Sequence, residues 1–335
     1  MAPVIRSKTP RIGFLGSGWI GRMRMESLSR SGAAEISAIA DPSPQARIEA
    51  RAIAPQARIL THLADLLEQE LDGIVISTPS ASHAIQALAA LEKGIAVFCQ
   101  KPLGLTAAEA RSVVDAARQA NRALGVDFGY RLTAGMRLIR SLARSGELGK
   151  IYHLQLSFHN CYGPDKSWYY DRKLSGGGCL IDLGIHLIDL ALWLMDFPPT
   201  RALSSSLFHD GREIAANDFV SIDDHALASI RLGEDAIANI SCSWKRAIGQ
   251  DAFFQVIVHG AAGAAEMCNV DGSFYDFRAC HYHGRGRRVL CSPPDEWGGR
   301  GLIDWARRLG DGGVFTDDAM QFVRVAEVLD TLYGR

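Results

Sequence analysis

An aspartate and a histidine, Asp182 and His186, stand four residues apart in a long apolar segment that follows three glycines, over residues 176–195. Residues with this spacing lie on one face of a helix, and the apolar periodicity of the segment predicts one. A carboxylate beside an imidazole can orient the ring and raise its basicity, as a general acid/base requires. The alternative is a buried histidine that its neighbouring aspartate satisfies for structural reasons.

A glycine-rich turn near the N-terminus is the second chemical candidate. Residues 16–21 follow the predicted strand Arg11–Leu15 and precede a predicted helix over residues 22–31. Asp41 then closes a second predicted strand, over residues 36–40. This order is typical of a dinucleotide-binding site, in which the pyrophosphate lies at the helix N-terminus. A glycine turn without a ligand is the alternative.

Asp41 also indicates which dinucleotide binds. Its carboxylate can accept hydrogen bonds from ribose hydroxyls, and its negative charge opposes a 2′-phosphate, so the sequence favours NAD over NADP. The predicted cofactor-binding residues are Gly16, Ser17, Gly18, Trp19, Ile20, Gly21, Asp41, Ser77, Thr78, Pro79, His83, Gln100, Lys101 and Arg131.

Strands and helices alternate through the first part of the chain, which predicts a doubly wound parallel sheet of the α/β class. Ligands of such sheets lie at the carboxyl ends of the strands. Lys101 follows one of these strands and precedes a proline, where it could polarise a carbonyl oxygen. An ordinary loop lysine is the alternative. The further predicted elements here are helices over residues 43–54, 62–70, 82–93 and 106–121, and strands over residues 73–77, 95–99 and 123–128.

Composition limits the classes of function. The 335 residues suffice for two domains, and 47% hydrophobic with 22% charged residues is typical of a soluble protein. With 36 Lys and Arg against 37 Asp and Glu, we expect no nucleic-acid partner. The short polar start, residues 1–10, and the lack of a membrane-length apolar run predict a cytoplasmic protein without a membrane partner. The basic run 285–288 is predicted to be a solvated loop.

The seven cysteines form no Cys-x-x-Cys pair, so the sequence predicts free thiols and no zinc site. His281 and His283 beside Cys280 could hold a metal, but a third ligand of suitable spacing is missing. No metal is predicted.

Taken together, these motifs resemble those of the Gfo/Idh/MocA family, the glucose–fructose oxidoreductase and inositol dehydrogenase group. The resemblance runs from Arg11 to about Tyr333. It implies an N-terminal Rossmann domain, a C-terminal α/β domain with a large open, mostly antiparallel sheet, and NAD(P)-dependent chemistry on sugars and polyols. The motifs that carry it are the glycine turn, Asp41, Thr78-Pro79 with His83, Lys101-Pro102, and Asp182 with His186.

The resemblance also implies catalytic roles. His186 matches the family's general acid/base, and Asp182 and the lysine of its Glu-Lys-Pro motif, here Lys101, assist it. One departure stands beside the lysine, because Gln100 occupies the position where the family usually has glutamate. A neutral amide removes a possible ion-pair partner of Lys101 and could change how the lysine is held.

The second half of the chain is predicted to bind the substrate, with domains at 1–129 and 130–335. A strand, Ile151–Asn160, leads into a loop over residues 161–173 that carries Trp168, Tyr169, Tyr170 and Arg172, groups suited to a sugar ring and its hydroxyls. An aromatic loop that only packs over the sheet is the alternative. The predicted substrate-binding residues are Lys101, Asn160, Trp168, Arg172, Asp182 and His186, with His159 and Trp244 as weaker candidates.

Six further strands and two closing helices complete the predicted second domain. The open face of its sheet is a plausible homodimer or homotetramer surface. The predicted strands cover residues 202–209, 225–232, 236–243, 254–260, 263–269 and 273–278, and the helices cover residues 301–308 and 316–332.

The sequence therefore predicts an NAD-dependent dehydrogenase acting on a sugar, cyclitol or related polyhydroxy compound. Two alternatives keep the fold: a reductase of other carbonyls or imines, and an NAD-assisted glycosidase. A non-catalytic NAD(H) sensor is a third alternative, but a sensor has no need of Lys101, Asp182 and His186 together.

Overall fold

The computed structural model describes residues 9–215, 218 and 220–335, so most of the predicted polar start of the chain lies outside the described residues. The chain forms two compact units. The first consists of the described residues up to Gly129 together with Gly298–Val323, and the second of Tyr130–Trp297 with Arg324–Arg335. The sequence predicted domains at 1–129 and 130–335. The structure corrects this division, because residues 298–323 belong to the first unit.

The helices and strands of the described residues are numbered in chain order. The helices are α1 Trp19–Ser31, α2 Pro44–Ile53, α3 Leu63–Leu67, α4 His83–Glu92, α5 Ala107–Ala120, α6 Ala134–Ser145, α7 Arg172–Ser175, α8 Ile185–Leu194, α9 Arg300–Gly310 and α10 Met320–Tyr333. The strands are β1 Arg11–Leu15, β2 Glu35–Ala40, β3 Arg58–Leu60, β4 Gly73–Ile76, β5 Ala96–Cys99, β6 Leu124–Val126, β7 Ile151–Asn160, β8 Thr200–His209, β9 Arg212–Glu213, β10 His225–Leu232, β11 Ala236–Ser243, β12 Ala252–Gly260, β13 Ala264–Asn269, β14 Phe277–His283 and β15 Gly286–Cys291.

The first unit is built on a parallel sheet with the strand order β3-β2-β1-β4-β5-β6. This is the order of the dinucleotide-binding Rossmann fold, whose ligands lie at the carboxyl ends of the strands. The predicted doubly wound sheet is therefore confirmed. Strand β3 was not predicted, because it has only three residues and none of them is fully buried.

Helix α9 belongs to the first unit because its tryptophan fills the core of that unit. Trp305 is 1% exposed, and its ring centroid lies 5.7 Å from that of Phe98 on β5. A Cβ atom on Gly73 would stand 2.5 Å from the indole, so the strand has glycine where the ring packs. This packing explains why residues 298–323 return to the Rossmann unit.

The second unit contains a larger sheet with the order β15-β14-β13-β12-β7-β11-β10-β8-β9. Its paired strands are antiparallel except β7 and β11, which run parallel. Alternate residues of β7, including Leu154, Leu156 and Phe158, are buried on the face against which α8 packs. The predicted large, mostly antiparallel sheet is thus confirmed.

Two predictions in this sheet are wrong. The strand predicted over residues 273–278 is β14, which begins at Phe277. The basic run predicted to be a loop contributes Arg287 and Arg288 to β15, which pairs with β14 at the sheet edge. Charged side chains are common on edge strands because they oppose pairing with another chain. Solvent-exposed arginines are therefore compatible with an edge strand at this position.

Candidate active site

The glycine turn has the backbone geometry that a dinucleotide requires. Gly16 has φ +87°, and a Cβ atom there would lie 2.6 Å from the carbonyl oxygen of Ser77. Around Gly18, by contrast, the described residues place no heavy atom within 4 Å of the corresponding position. Among the described residues, no side chain caps the start of α1, where the first backbone N–H groups of a helix have no partner within it. The turn therefore fits a pyrophosphate at the N-terminus of α1.

Asp41 holds the turn from the end of β2. One carboxylate oxygen, Oδ2, accepts hydrogen bonds from the backbone N of Ser17 at 2.7 Å and from its hydroxyl at 3.0 Å. The other oxygen, Oδ1, accepts from the backbone N of Ser43 at 2.8 Å. Each carboxylate oxygen can accept two hydrogen bonds, so Oδ1 keeps capacity for a ribose hydroxyl. The ribose contact stays a prediction.

His83 has a different role from the predicted cofactor contact. The residue is 1% exposed, and its Nδ1 and Nε2 atoms each lie 2.7 Å from a backbone carbonyl oxygen, that of Pro102 and that of Thr78 respectively. Burial lowers the pKa of His83, and the two carbonyl oxygens oppose this shift. The neutral ring has one N–H and donates it to one of these two oxygens, so the histidine lies between the two loops that follow β4 and β5.

The segment that carries Asp182 and His186 is buried almost throughout. Between Ser175 and Leu194 these two residues alone retain partial exposure. By length and composition, Arg172–Leu194 could span a membrane, but 89% of its apolar window is buried inside the protein. Two polar residues that remain accessible on such a buried segment are the expected positions for groups that meet a ligand.

The start of this segment is a π-helical turn, Leu180–Gly184, rather than the regular helix that the spacing predicted. Such turns occur frequently at functional sites. The glycines before it are closely approached, because a Cβ atom on Gly178 would lie 1.8 Å from the carbonyl oxygen of Asp223. Asp182 lies on the π-turn and His186 on the first turn of α8.

A buried carboxylate anchors the π-turn. Asp223 accepts hydrogen bonds from the backbone N of Gly178 and of Leu180, each at 2.8 Å, and from the hydroxyl of Tyr333 at 3.0 Å. The same hydroxyl accepts a hydrogen bond from the backbone N of Ile181 at 3.1 Å. Burial raises the pKa of Asp223, and its hydrogen-bond donors oppose this shift. Asp223 and Tyr333 therefore hold the start of the segment from two distant parts of the chain.

The aromatic loop, residues 161–173, packs against Trp244, which is the hydrogen-bond partner of Asp182. Trp244 donates its indole N–H to Oδ2 of Asp182 at 3.1 Å. Tyr169 and Tyr170 approach the indole ring edge-on, at centroid distances of 6.1 and 5.8 Å, and Trp168 stacks on Tyr169 at 3.8 Å. Burial and the Asp182 carboxylate raise the pKa of Tyr169. The loop thus packs on the tryptophan that holds Asp182, and its contact with a substrate stays a prediction.

Tyr130 contacts the imidazole of His186, and the sequence did not indicate this contact. The two rings meet edge to face at 4.9 Å between centroids, while the other side of Tyr130 stacks on Phe254 at 4.8 Å. Tyr130 is 9% exposed, so packing fixes its ring. The histidine ring therefore rests against a fixed aromatic surface.

Three other predicted residues lie in the second unit. Arg131 forms a two-pronged ion pair with Asp189 of α8, with its Nε atom 2.7 Å from Oδ2, so its guanidinium is committed to that helix. Arg172 donates to the carbonyl oxygen of Ser221 at 3.2 Å. Asn160 has a buried Oδ1 atom with no hydrogen-bond partner among the described residues.

His159 neighbours Asn160 but lies on the opposite face of β7, because successive strand residues alternate. Its Nε2 atom accepts a hydrogen bond from Arg246 at 2.9 Å, and its Nδ1 atom lies 2.8 Å from the hydroxyl of Ser243. Burial and the nearby Arg246 and His225 lower the pKa of His159 to about 3. His159 therefore does not join the group around Asp182. Among the described residues, no cluster of three or more His, Cys, Asp or Glu side chains could hold a metal ion.

Comparison with known proteins agrees with the division of the chain into two units. Residues 10–128 match the family model described as the oxidoreductase family, NAD-binding Rossmann fold, and residues 136–266 match the GFO/IDH/MocA C-terminal domain. The rhizopine catabolism protein MocA of Rhizobium meliloti is 28% identical over 72% of this chain and 77% of its own length. D-glucoside 3-dehydrogenase of Escherichia coli (strain K12) is 28% identical, with 60% of each chain covered.

Two solved structures share the whole fold. Levoglucosan dehydrogenase in complex with NADH superposes with a TM-score of 0.83 at 20% identity, over 98% of this chain and 96% of that one. A 3-ketoreductase from Actinomadura kijaniata in complex with NADP gives 0.82 at 18% identity, over 97% of each chain. The first unit is thus an NAD-binding Rossmann domain, and the protein is of the NAD(P)-dependent dehydrogenase class. The chain belongs to the Gfo/Idh/MocA family.

The anchor of the π-turn predicts the effect of Tyr333→Phe. Removing the hydroxyl leaves the buried N–H of Ile181 without its acceptor, which costs about 1–3 kcal/mol of unfolding free energy. Because Asp182 lies on the same turn, turnover should fall as well. Urea unfolding of the two proteins measures the loss of stability. Tyr152→Phe is the matched control, since Tyr152 is 52% exposed, and equal effects of the two changes would contradict the anchor.

Proposed function

We propose that this protein is an NAD-dependent dehydrogenase that oxidises or reduces a sugar, cyclitol or related polyhydroxy compound. The observation that carries the proposal is the partial exposure of Asp182 and His186 alone on an otherwise buried segment. In a chain whose other unit binds NAD, such a pair supplies the proton chemistry that alcohol oxidation needs.

The names of several relatives support the class of substrate. D-glucoside 3-dehydrogenase, inositol 2-dehydrogenase of Rhizobium meliloti (strain 1021) and levoglucosan dehydrogenase are each named for a sugar-derived or cyclitol substrate. The aromatic loop agrees with this class, because aromatic faces pack against the C–H surfaces of sugar rings. We infer a substrate of the same chemical class for this chain.

In the proposed reaction, His186 takes the proton of the substrate hydroxyl during oxidation and returns it during reduction. Asp182 orients the imidazole, and Trp244 in turn fixes Asp182 through its indole N–H. Bound NAD supplies the hydride acceptor. The edge contact with Tyr130 limits rotation of the His186 ring, which keeps the acid/base in one orientation.

Other residues bind the substrate in this proposal. Lys101 stabilises the negative charge that develops on the substrate oxygen as its proton leaves. The buried Oδ1 of Asn160 accepts a hydrogen bond from a second hydroxyl, which would satisfy an acceptor that has no partner among the described residues. Trp168 and Arg172 contribute an aromatic face and a cation. We further propose a cytoplasmic homodimer or homotetramer that associates through the open face of the larger sheet.

The glycine turn and Asp41 predict a cofactor preference. Saturating NADH, at about a hundred times its dissociation constant, should stabilise the protein by roughly 2.7 kcal/mol and raise the unfolding midpoint by several degrees. NADPH should give a smaller shift because the Asp41 carboxylate opposes a 2′-phosphate. Thermal unfolding with each nucleotide measures both effects.

Gly18→Val provides the control for this measurement. The new side chain meets no described heavy atom near its Cβ position, so the unliganded midpoint should fall only by the lower preference for valine at the N-cap of α1, while the NADH shift disappears. A shift with NADPH alone would overturn the role of Asp41. No shift with either nucleotide would contradict dinucleotide binding at this turn.

A panel of sugars, cyclitols and polyols tests the proposed reaction. Mixed with the protein and NAD, at least one member should give NADH in stoichiometric amounts. If NAD instead stays bound through gel filtration and glycosides are cleaved without net NADH, the glycosidase alternative holds. If NADH binds but no panel member and no corresponding ketone reacts, the sensor alternative holds.

A further inference from the structure

A buried polar cluster in the first unit includes Gln100, the residue directly before Lys101. Its centre is Asp127, which follows β6 and is 5% exposed. Oδ2 of Asp127 accepts hydrogen bonds from Nε of Arg24 and from Nε2 of Gln100, each at 2.5 Å. Arg24 and Gln100 are each 7% exposed. The three side chains form one buried network in the first unit.

The chemistry of this network explains the amide at position 100. An ionised carboxylate only accepts hydrogen bonds, so its neighbours must be donors. The Arg24 guanidinium supplies one donor and the Gln100 amide supplies the other. A glutamate at position 100 would instead place a second carboxylate against Oδ2 of Asp127, and two carboxylates at such a distance cannot both ionise. The Gln100 amide therefore supplies the hydrogen-bond donor that the Asp127 carboxylate needs at this position.

The negative charge of Asp127 also reaches the end of β5. Burial and the Asp127 carboxylate raise the pKa of Cys99, which directly precedes Gln100. The backbone N of Asp127 donates to the carbonyl oxygen of Cys99 at 2.9 Å. Among the described residues, Arg24 of α1 and Gln100 after β5 donate to the Asp127 carboxylate, and its charge acts on Cys99 of β5.

Lys101 lies between Gln100 and Pro102, and a buried side chain contacts each of these two residues. On one side, Gln100 is fixed by Asp127 through its amide and by the carbonyl oxygen of Ile76, which accepts from its backbone N at 2.9 Å. On the other side, the carbonyl oxygen of Pro102 lies 2.7 Å from Nδ1 of His83. The backbone that carries the lysine is therefore held at both flanking residues.

We infer that Asp127, together with Arg24, is a positioning residue for Lys101, and that its carboxylate supplies, one strand away, the negative charge that position 100 lacks in this chain. This inference rests on the proposed function in one respect, because Lys101 must act on the substrate for its position to matter. The contacts among Arg24, Gln100 and Asp127 stand without it.

Gln100→Glu tests the network through stability. Because two carboxylates then share one site, the pKa of the introduced carboxyl group in the folded protein rises above its unfolded value of about 4.3. A raised folded pKa gives stability below the unfolded pKa that is lost as pH rises. The drop in unfolding midpoint relative to wild type should therefore be small near pH 4 and grow toward pH 8. Gln119→Glu makes the same change at an exposed position of α5 and should show no such growth.

Gln100→Glu/Asp127→Asn tests the position of the charge. The double change keeps one carboxylate and one amide but exchanges their places, so the pH-dependent loss of midpoint should disappear. With the best substrate of the panel and saturating NAD, kcat of Gln100→Glu should fall about 10- to 100-fold, and the double change should recover most of that loss. If the double variant keeps the pH-dependent loss of midpoint, or keeps the loss of kcat, the inference is overturned.

A cycle with Lys101→Met separates this inference from the proposed function. If Asp127 acts through Lys101, Gln100→Glu should lower kcat in the wild-type background but change it little when Lys101 is already replaced by methionine. Equal effects in both backgrounds would overturn the positioning role. Full activity of Lys101→Met alone would contradict the proposed role of Lys101, whatever the stability measurements show.

Discussion

The hydrogen bonds of the buried Asp223 carboxylate are the constraint on which the rest of the second unit depends. The start of the segment that carries the proposed acid/base presents backbone N–H groups in the interior, where each needs an acceptor. Asp223 satisfies those of Gly178 and Leu180 and is itself held by the hydroxyl of Tyr333. The close approach of its backbone excludes any side chain at residue 178. With that end fixed, the π-turn places Asp182 beside Trp244, and α8 continues into the core.

Each unit prepares its own chemistry before any ligand binds. In the first, Asp41 holds Ser17, and the glycine turn keeps open space at Gly18. In the second, the π-turn, Trp244 and Tyr130 fix the groups proposed to move the proton. Such preorganisation reduces the free energy that the protein spends on ordering its groups during the reaction. Asp127 and Asp223 can be buried because their hydrogen-bond donors are held in place by the fold.

The sequence predicted the Rossmann unit well, because strand, glycine turn, helix and acidic residue follow one another within a short local pattern. Helix α6 was not predicted, although Thr133 caps its start and Gly146, in the left-handed conformation, follows its end. Asp223 and Tyr333 could not be predicted, because their contacts with the π-turn join distant parts of the chain and no spacing relates them. Helix α9 was predicted, but its place in the first unit was not, because Trp305 packs into a core built from the N-terminal half. Local patterns thus indicated the chemistry, while long-range contacts determine how it is held.

Turnover of His186→Asn, measured with saturating NAD and the best substrate of the panel, tests the central claim most directly. If His186 is the acid/base, kcat should fall by about two to four orders of magnitude. The NADH-induced rise in unfolding midpoint should remain, because cofactor binding is proposed for the other unit. Near-normal turnover in a variant that is folded and binds NADH would contradict the account, and the histidine would then be a structural residue of the buried segment.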